Sequence, residues 1–105
     1  MAHIPIEECK HGGLYRIFSR NLSLGVYDEN AQGFIGIREK FGSYFLFTEY
    51  HWDTGPPFGT AHPEELLEMV PDGIPLIENE EWLNDNDVLF KWLEEKWEQY
   101  IRQED

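Results

Sequence analysis

Glu49, His51 and Asp53 occupy alternate positions at the end of an aromatic run, Tyr44 to Trp52. In a strand every second side chain points to the same face, so these three would project together, with His62 nearby in the chain. A carboxylate beside an imidazole is acid–base geometry, and two carboxylates with an imidazole can hold a divalent metal. The chemistry implied is a small metal-dependent hydrolase. The structural alternative is that these polar groups hydrogen-bond the loop that follows, since a lone His-x-Asp arises readily without function. No catalytic residue, metal ligand or cofactor is assigned on this pattern.

Two other groups have chemical potential. Cys9 with His11 pairs a thiol and a base, but in a polar N-terminal arm with no third group to orient them. Arg16, Arg20, Arg38 and Lys40 interleave with Tyr15, Phe18, Phe34 and Tyr44. A guanidinium fork suits phosphate and an aromatic ring suits a planar group. Arg20, Arg38, Tyr44, His51, Trp52 and Asp53 are therefore candidate ligands for a small nucleotide-like anion, under a lid running from Trp52 to Phe58. The competing role for these bases is pairing with carboxylates of the fold. Gly33, Gly36 and Gly42 do not form a phosphate loop, because no Gly-x-x-x-x-Gly-Lys is present.

The strongest compositional signal is charge. The 105 residues carry a net charge of −13. Up to His62 there are five bases against seven acids, a net of −2; from Pro63 onward there are three against fourteen, a net of −11. Such a field disfavours direct nucleic-acid binding and attracts basic proteins. Glu80, Glu81, Glu94, Glu95 and Glu98 are the candidate partner surface. Carboxylates at this density on a rigid scaffold can occupy a groove built for phosphates. The plain alternative is a solvated face that keeps the chain in solution.

These residues need elements to position them. Gly13–Arg20 alternates Tyr15 and Ile17 against Leu14, Arg16 and Phe18, and Leu22, Leu24 and Val26 form a second set. Residues 28–33 read as a polar turn, Phe34–Arg38 as a third strand, and Tyr44–Trp52 as the fourth. The fourth strand is apolar on both faces: Tyr44, Leu46, Tyr50 and Trp52 on one, Phe45 and Phe47 on the other. Its second face therefore requires a cover, whether a loop, a ligand or a second subunit joined through the sheet.

Residues 54–62, with Pro56-Pro57 and two glycines, read as a loop. Pro63 at a first helical position, followed by Glu64 and Glu65 and then Leu66, Leu67, Met69 and Val70, predicts a short middle helix. Asn84–Asp87 offers N-caps for a long final helix with Leu89, Phe90, Leu93, Trp97, Tyr100 and Ile101 on one side. Residues 74–82 give no clear pattern. The expected class is α+β: one domain with an arm (1–12), an antiparallel meander of three or four strands (13–53), a loop (54–62) and an acidic helical part (63–105).

One cysteine excludes an intrachain disulfide, and no stretch approaches the roughly 18 apolar residues of a membrane span. With no signal-peptide pattern at the start, a soluble cytoplasmic protein is expected.

Ser19-Arg20-Asn21-Leu22, Gly33-Phe34-Ile35-Gly36-Ile37-Arg38-Glu39-Lys40-Phe41-Gly42 and Phe47-Thr48-Glu49-Tyr50-His51-Trp52-Asp53-Thr54-Gly55 resemble stretches of small uncharacterised proteins of actinobacteria and their phages. The resemblance covers residues 13–63 and leaves the acidic part outside it. It implies a small, phage-borne accessory protein that binds and neutralises a host factor, and it transfers no site residue. The leading expectation is a non-enzymatic inhibitor that engages a basic host protein, as an anti-defence protein would. The nucleotide-like anion binder and the metal-dependent hydrolase are the alternatives.

Overall fold

The alternation between residues 13 and 53 becomes four consecutive antiparallel strands in the computed structural model of the chain, which describes residues 4–19, 21–54, 60–74, 76 and 88–101. These are β1 (Gly13–Ser19), β2 (Asn21–Asp28), β3 (Gly33–Lys40) and β4 (Ser43–His51). The chain continues through β5 (Thr60–Met69) and ends its described part in α1 (Val88–Tyr100); a short 3₁₀ turn, Ile6–Glu8, precedes the strands.

Local chemistry sets the turns. Between β2 and β3 the Asp28 carboxylate accepts the backbone N–H of Asn30 at 2.9 Å, and Gln32 takes a left-handed φ of 55°. Between β3 and β4 only Phe41 and Gly42 separate the paired Lys40 and Ser43. Both have positive φ, 53° and 81°, as the tightest hairpin turns demand. Glycine adopts this freely; Phe41 does so at a cost, with its ring 95% exposed.

Two expectations fail here, and they fail together. The meander does not stop at four strands, and the middle helix is not a helix. Residues 60–69 run as β5, antiparallel to β1 and joined in parallel to the end of β4 through Tyr50–Thr60 and His51–Ala61. The five strands close into a barrel in the order β1-β2-β3-β4-β5. The apolar spacing around Pro63 misled because β5 pairs with β1 through two register shifts. Tyr15 opposes Leu66 and Ile17 opposes Pro63, leaving one extra β5 residue at each shift. Each bulge adds a residue to a two-residue period and imitates the three-to-four spacing of a helix. Pro63 lies beside one of these shifts, where a missing N–H is tolerated.

Barrel closure accounts for the two-sided apolar character of the sheet. α1 lays Leu89, Phe90, Leu93 and Trp97 on the outside, against Leu14, Leu24, Val26, Ile35 and Ile37, with Tyr44, Leu46 and Leu67 at the margin. The opposite parity faces inward: Tyr15, Ile17, Tyr27, Phe34 and Ala61, with Phe47 and Leu66. The second face of β4 is thus covered at Phe47, within a cluster on which the arm packs Ile4, Ile6 and Cys9, while Phe45 stays half-exposed.

Polar bonds at the edges hold α1 in place. The Tyr44 hydroxyl donates to Glu98, Trp97 Nε1–H donates to Glu39 at 3.2 Å, and Glu68 takes both the Tyr100 hydroxyl at 2.7 Å and Lys96 at 3.0 Å. Burial by itself pushes the Glu68 carboxyl up; Tyr100 and Lys96 outweigh it and hold the group below its usual range. The N-caps expected at residues 84–87 lie outside the described residues. Among the described residues no helix is long and apolar enough to cross a membrane.

Candidate functional site

The turn that ends β4 grips the N-terminal arm, and here the structure uses His51 and Asp53 together. His51 is fully buried and stacks on Phe34 with ring centroids 6.1 Å apart. Its Nδ1 accepts the Asp53 backbone N–H at 2.9 Å, so the proton resides on Nε2, which donates to the Ile4 carbonyl at 2.8 Å. Asp53 Oδ2 accepts the Ile6 N–H at 3.2 Å and lies 3.8 Å from His51 Nδ1. The arm is further held by Ile4 N–H to the Pro63 carbonyl at 2.8 Å and Lys10 N–H to the Tyr15 hydroxyl at 2.7 Å.

Both ring nitrogens of His51 are therefore committed to backbone partners. That removes the central ligand from the metal reading, and among the described residues no three His, Cys, Asp or Glu side chains converge on a common point. Glu49 shares the inner parity of β4 with His51, and one of its carboxylate oxygens is buried without a hydrogen-bond partner among the described residues. His62 pairs across from Phe18 and stacks against Trp52 with centroids 4.3 Å apart, away from His51. Of the expected cluster, His51 and Asp53 stay together and Glu49 shares the parity of His51, while His62 is turned away.

The anion-binding set is likewise separated. Tyr44 lies on the outer face under α1, edge-on to Trp97. Arg38 lies on the inner parity, donating to Ser23 at 3.2 Å with its guanidinium 4.3 Å above the Phe47 ring. Trp52, 47% exposed, is at the surface. Arg20 falls outside the described residues. Of the other bases, Arg16 pairs with Glu65 across β1 and β5, and Lys40 sits 5.7 Å from the Phe41 ring. The expected pairing of bases with the fold's own carboxylates holds for Arg16, and Lys96 adds another.

Cys9 is a structural thiol. Burial, then the charges of Asp53, Glu8 and Glu7, push it up to about 11. At neutral pH it is protonated and donates weakly to the Pro5 carbonyl at 3.7 Å. The arm looked polar in sequence because its charges alternate with Ile4, Ile6 and Cys9, which turn inward. A raised thiol means that the folded state holds its proton more tightly than the unfolded chain. Stability from this group is intact below the unfolded value, 9.0, and is lost as pH rises towards about 11. Burial also raises Tyr15 and Tyr27, which act in the same direction. Urea midpoints measured between pH 8 and 11 should fall, and Cys9→Ala should flatten part of that fall; parallel curves for the two proteins would contradict this assignment.

Of the acidic candidates, Glu95 and Glu98 are exposed on α1 and Glu94 is half-buried. Glu98 is engaged by Tyr44. Glu80 and Glu81 lie outside the described residues. Sequence reasoning missed Glu39 and Glu68, whose role is to clasp the helix; an acid opposite a buried tryptophan or tyrosine becomes visible only once the pairing is known. Comparison with protein-family models, curated proteins and solved structures finds no match to the chain, so no relative lends it a function.

Proposed function

We propose that the chain is a non-enzymatic binding protein that engages a basic protein through carboxylates of its C-terminal part, as a small phage or mobile-element inhibitor of a host factor would. The observation that carries this reading is the charge of −11 after His62, part of it carried on a helix whose apolar stripe is buried against the barrel. α1 spends Leu89, Phe90, Leu93 and Trp97 on the core and keeps Lys91, Glu95 and Glu98 at the surface. Carboxylates fixed this way steer a cationic partner and lose little freedom on binding it. The groups best suited to catalysis point the same way: His51 is spent on the arm and Cys9 holds its proton.

Reversing Glu80, Glu81, Glu94 and Glu95 to lysine together changes the net charge by eight, from −13 to −5. Partner affinity, read by calorimetry or surface capture, should fall by about 100-fold or more, and raised salt should weaken the unmodified complex. Reversing the exposed Glu7, Glu8 and Glu29 instead changes charge on the opposite part of the chain and should leave most of the affinity. Equal losses from both sets, or binding indifferent to salt, would reject a localised acidic surface.

A further inference from the structure

His51 grips the arm in a form that tolerates only one protonation state, and we propose that proton uptake by this residue unlatches the N-terminal arm. In the neutral ring Nδ1 offers a lone pair to the Asp53 N–H, 2.9 Å away, while Nε2–H holds the Ile4 carbonyl. A proton added at Nδ1 sets two donors against each other in a site closed to water. The Asp53 carboxylate, 3.8 Å from that nitrogen, can answer the new charge. That same carboxylate holds the Ile6 N–H, so turning to the ring gives up the arm at its 3₁₀ turn.

Other titratable groups surround the latch. Glu49 is two residues back on the same parity of β4, with one buried carboxylate oxygen lacking a partner among the described residues. From the arm come the Cys9 thiol, which feels Asp53, and the exposed Glu7 and Glu8. From β1 and β2 come the Tyr15 and Tyr27 hydroxyls of the inner cluster, and from β5 comes His62, which is turned outward onto Trp52. Apart from His51 and His62 these are acids. Release exposes the inner cluster of Tyr15, Tyr27 and Phe34, together with Cys9, while α1 stays docked on the other face.

Cys9 reports directly on the arm. Its reaction with 4,4′-dithiodipyridine, which still modifies thiols in acid, is compared at each pH with the rate for the urea-unfolded chain. From about pH 7.5 to about pH 5.5 the protection of Cys9 should fall about tenfold, while urea midpoints followed by tryptophan fluorescence change far less. His51→Gln, which has no ring to titrate, should remove the pH dependence. Should His51→Gln not fold, Asp53→Asn decides the matter: its amide oxygen still accepts the Ile6 N–H but cannot answer the imidazolium, so the fall should shrink. Flat protection in the natural chain, an equal fall in His51→Gln or Asp53→Asn, or a fall that tracks the urea midpoint would overturn the proposal.

Discussion

Trp97→Ala should cost about 3–5 kcal/mol, the range for emptying a buried aromatic site, against a total stability of about 5–15 kcal/mol for a domain of this kind. Trp97 is the hinge of the helix–barrel contact. Its ring is 6% exposed, lies edge-on to Tyr44 at 6.4 Å and donates its N–H to Glu39 at 3.2 Å. Truncation removes the packing and the donor together. Trp97→Phe keeps most of the packing and loses the hydrogen bond, so about 1–2 kcal/mol is expected. On the opposite side of the same helix Glu95→Ala should change stability by less than about 0.5 kcal/mol. Urea unfolding of the three variants reads all of these. A Trp97→Ala loss under about 1 kcal/mol would mean that α1 does not dock as described.

Gly36→Val should be comparably damaging, at about 3 kcal/mol or more. Gly36 faces the barrel interior opposite Phe47, and a β-carbon there would lie 2.5 Å from Phe47 Cζ and 2.9 Å from the backbone oxygen of Leu24. The ring has little room to yield, since the Arg38 guanidinium lies 4.3 Å from its centroid. The backbone oxygen is less able still to move, because β2 and β3 are paired along this stretch. Gly42 provides the contrast. Its φ of 81° is left-handed, but nothing lies within 4 Å of a β-carbon there. Gly42→Ala should therefore cost only backbone strain, about 1–2 kcal/mol. Combining Gly36→Ala with Phe47→Ala should recover part of the clash and give a measurable coupling between the two sites. Strict additivity would show that the ring does not rest on the glycine.

Both predictions depend on inner-versus-outer parity, and parity was the part of this fold most legible in the chain. Tyr15 and Ile17 separate from Leu14, and Phe47 separates from Tyr44 and Leu46, as alternation demands. The apolar stripe of α1 was equally plain, because Leu89, Phe90, Leu93 and Trp97 recur at helical spacing and all four are buried. Residues 60–69 were not legible. Their intrinsic signals, a proline followed by two glutamates and two leucines, favour a helix start, and a bulged strand carries no period of its own. What overrode them was the edge of β1, whose unpaired backbone groups gain a full ladder when β5 closes the barrel.

The candidate site divides along the same line. That His51 and Asp53 work together, and that the role is structural, follows from short-range spacing: a strand-end histidine reaches the backbone two residues on. That their partner is the N-terminal arm, 47 residues away in the chain, is a tertiary fact. Tyr44 stands under the helix while Arg38 and His51 share the opposite parity, a division that pairing between strands makes and spacing along one strand does not.

By itself the sequence determined the charge of the molecule, the solitary thiol, the strand parity and the final helix, because composition and period need no partner to be expressed. Only the tertiary structure decided that a fifth strand closes the sheet, that the arm covers its interior and that two glutamates clasp the helix. Each of these is a pairing between distant residues, favoured by groups that would otherwise be buried without partners.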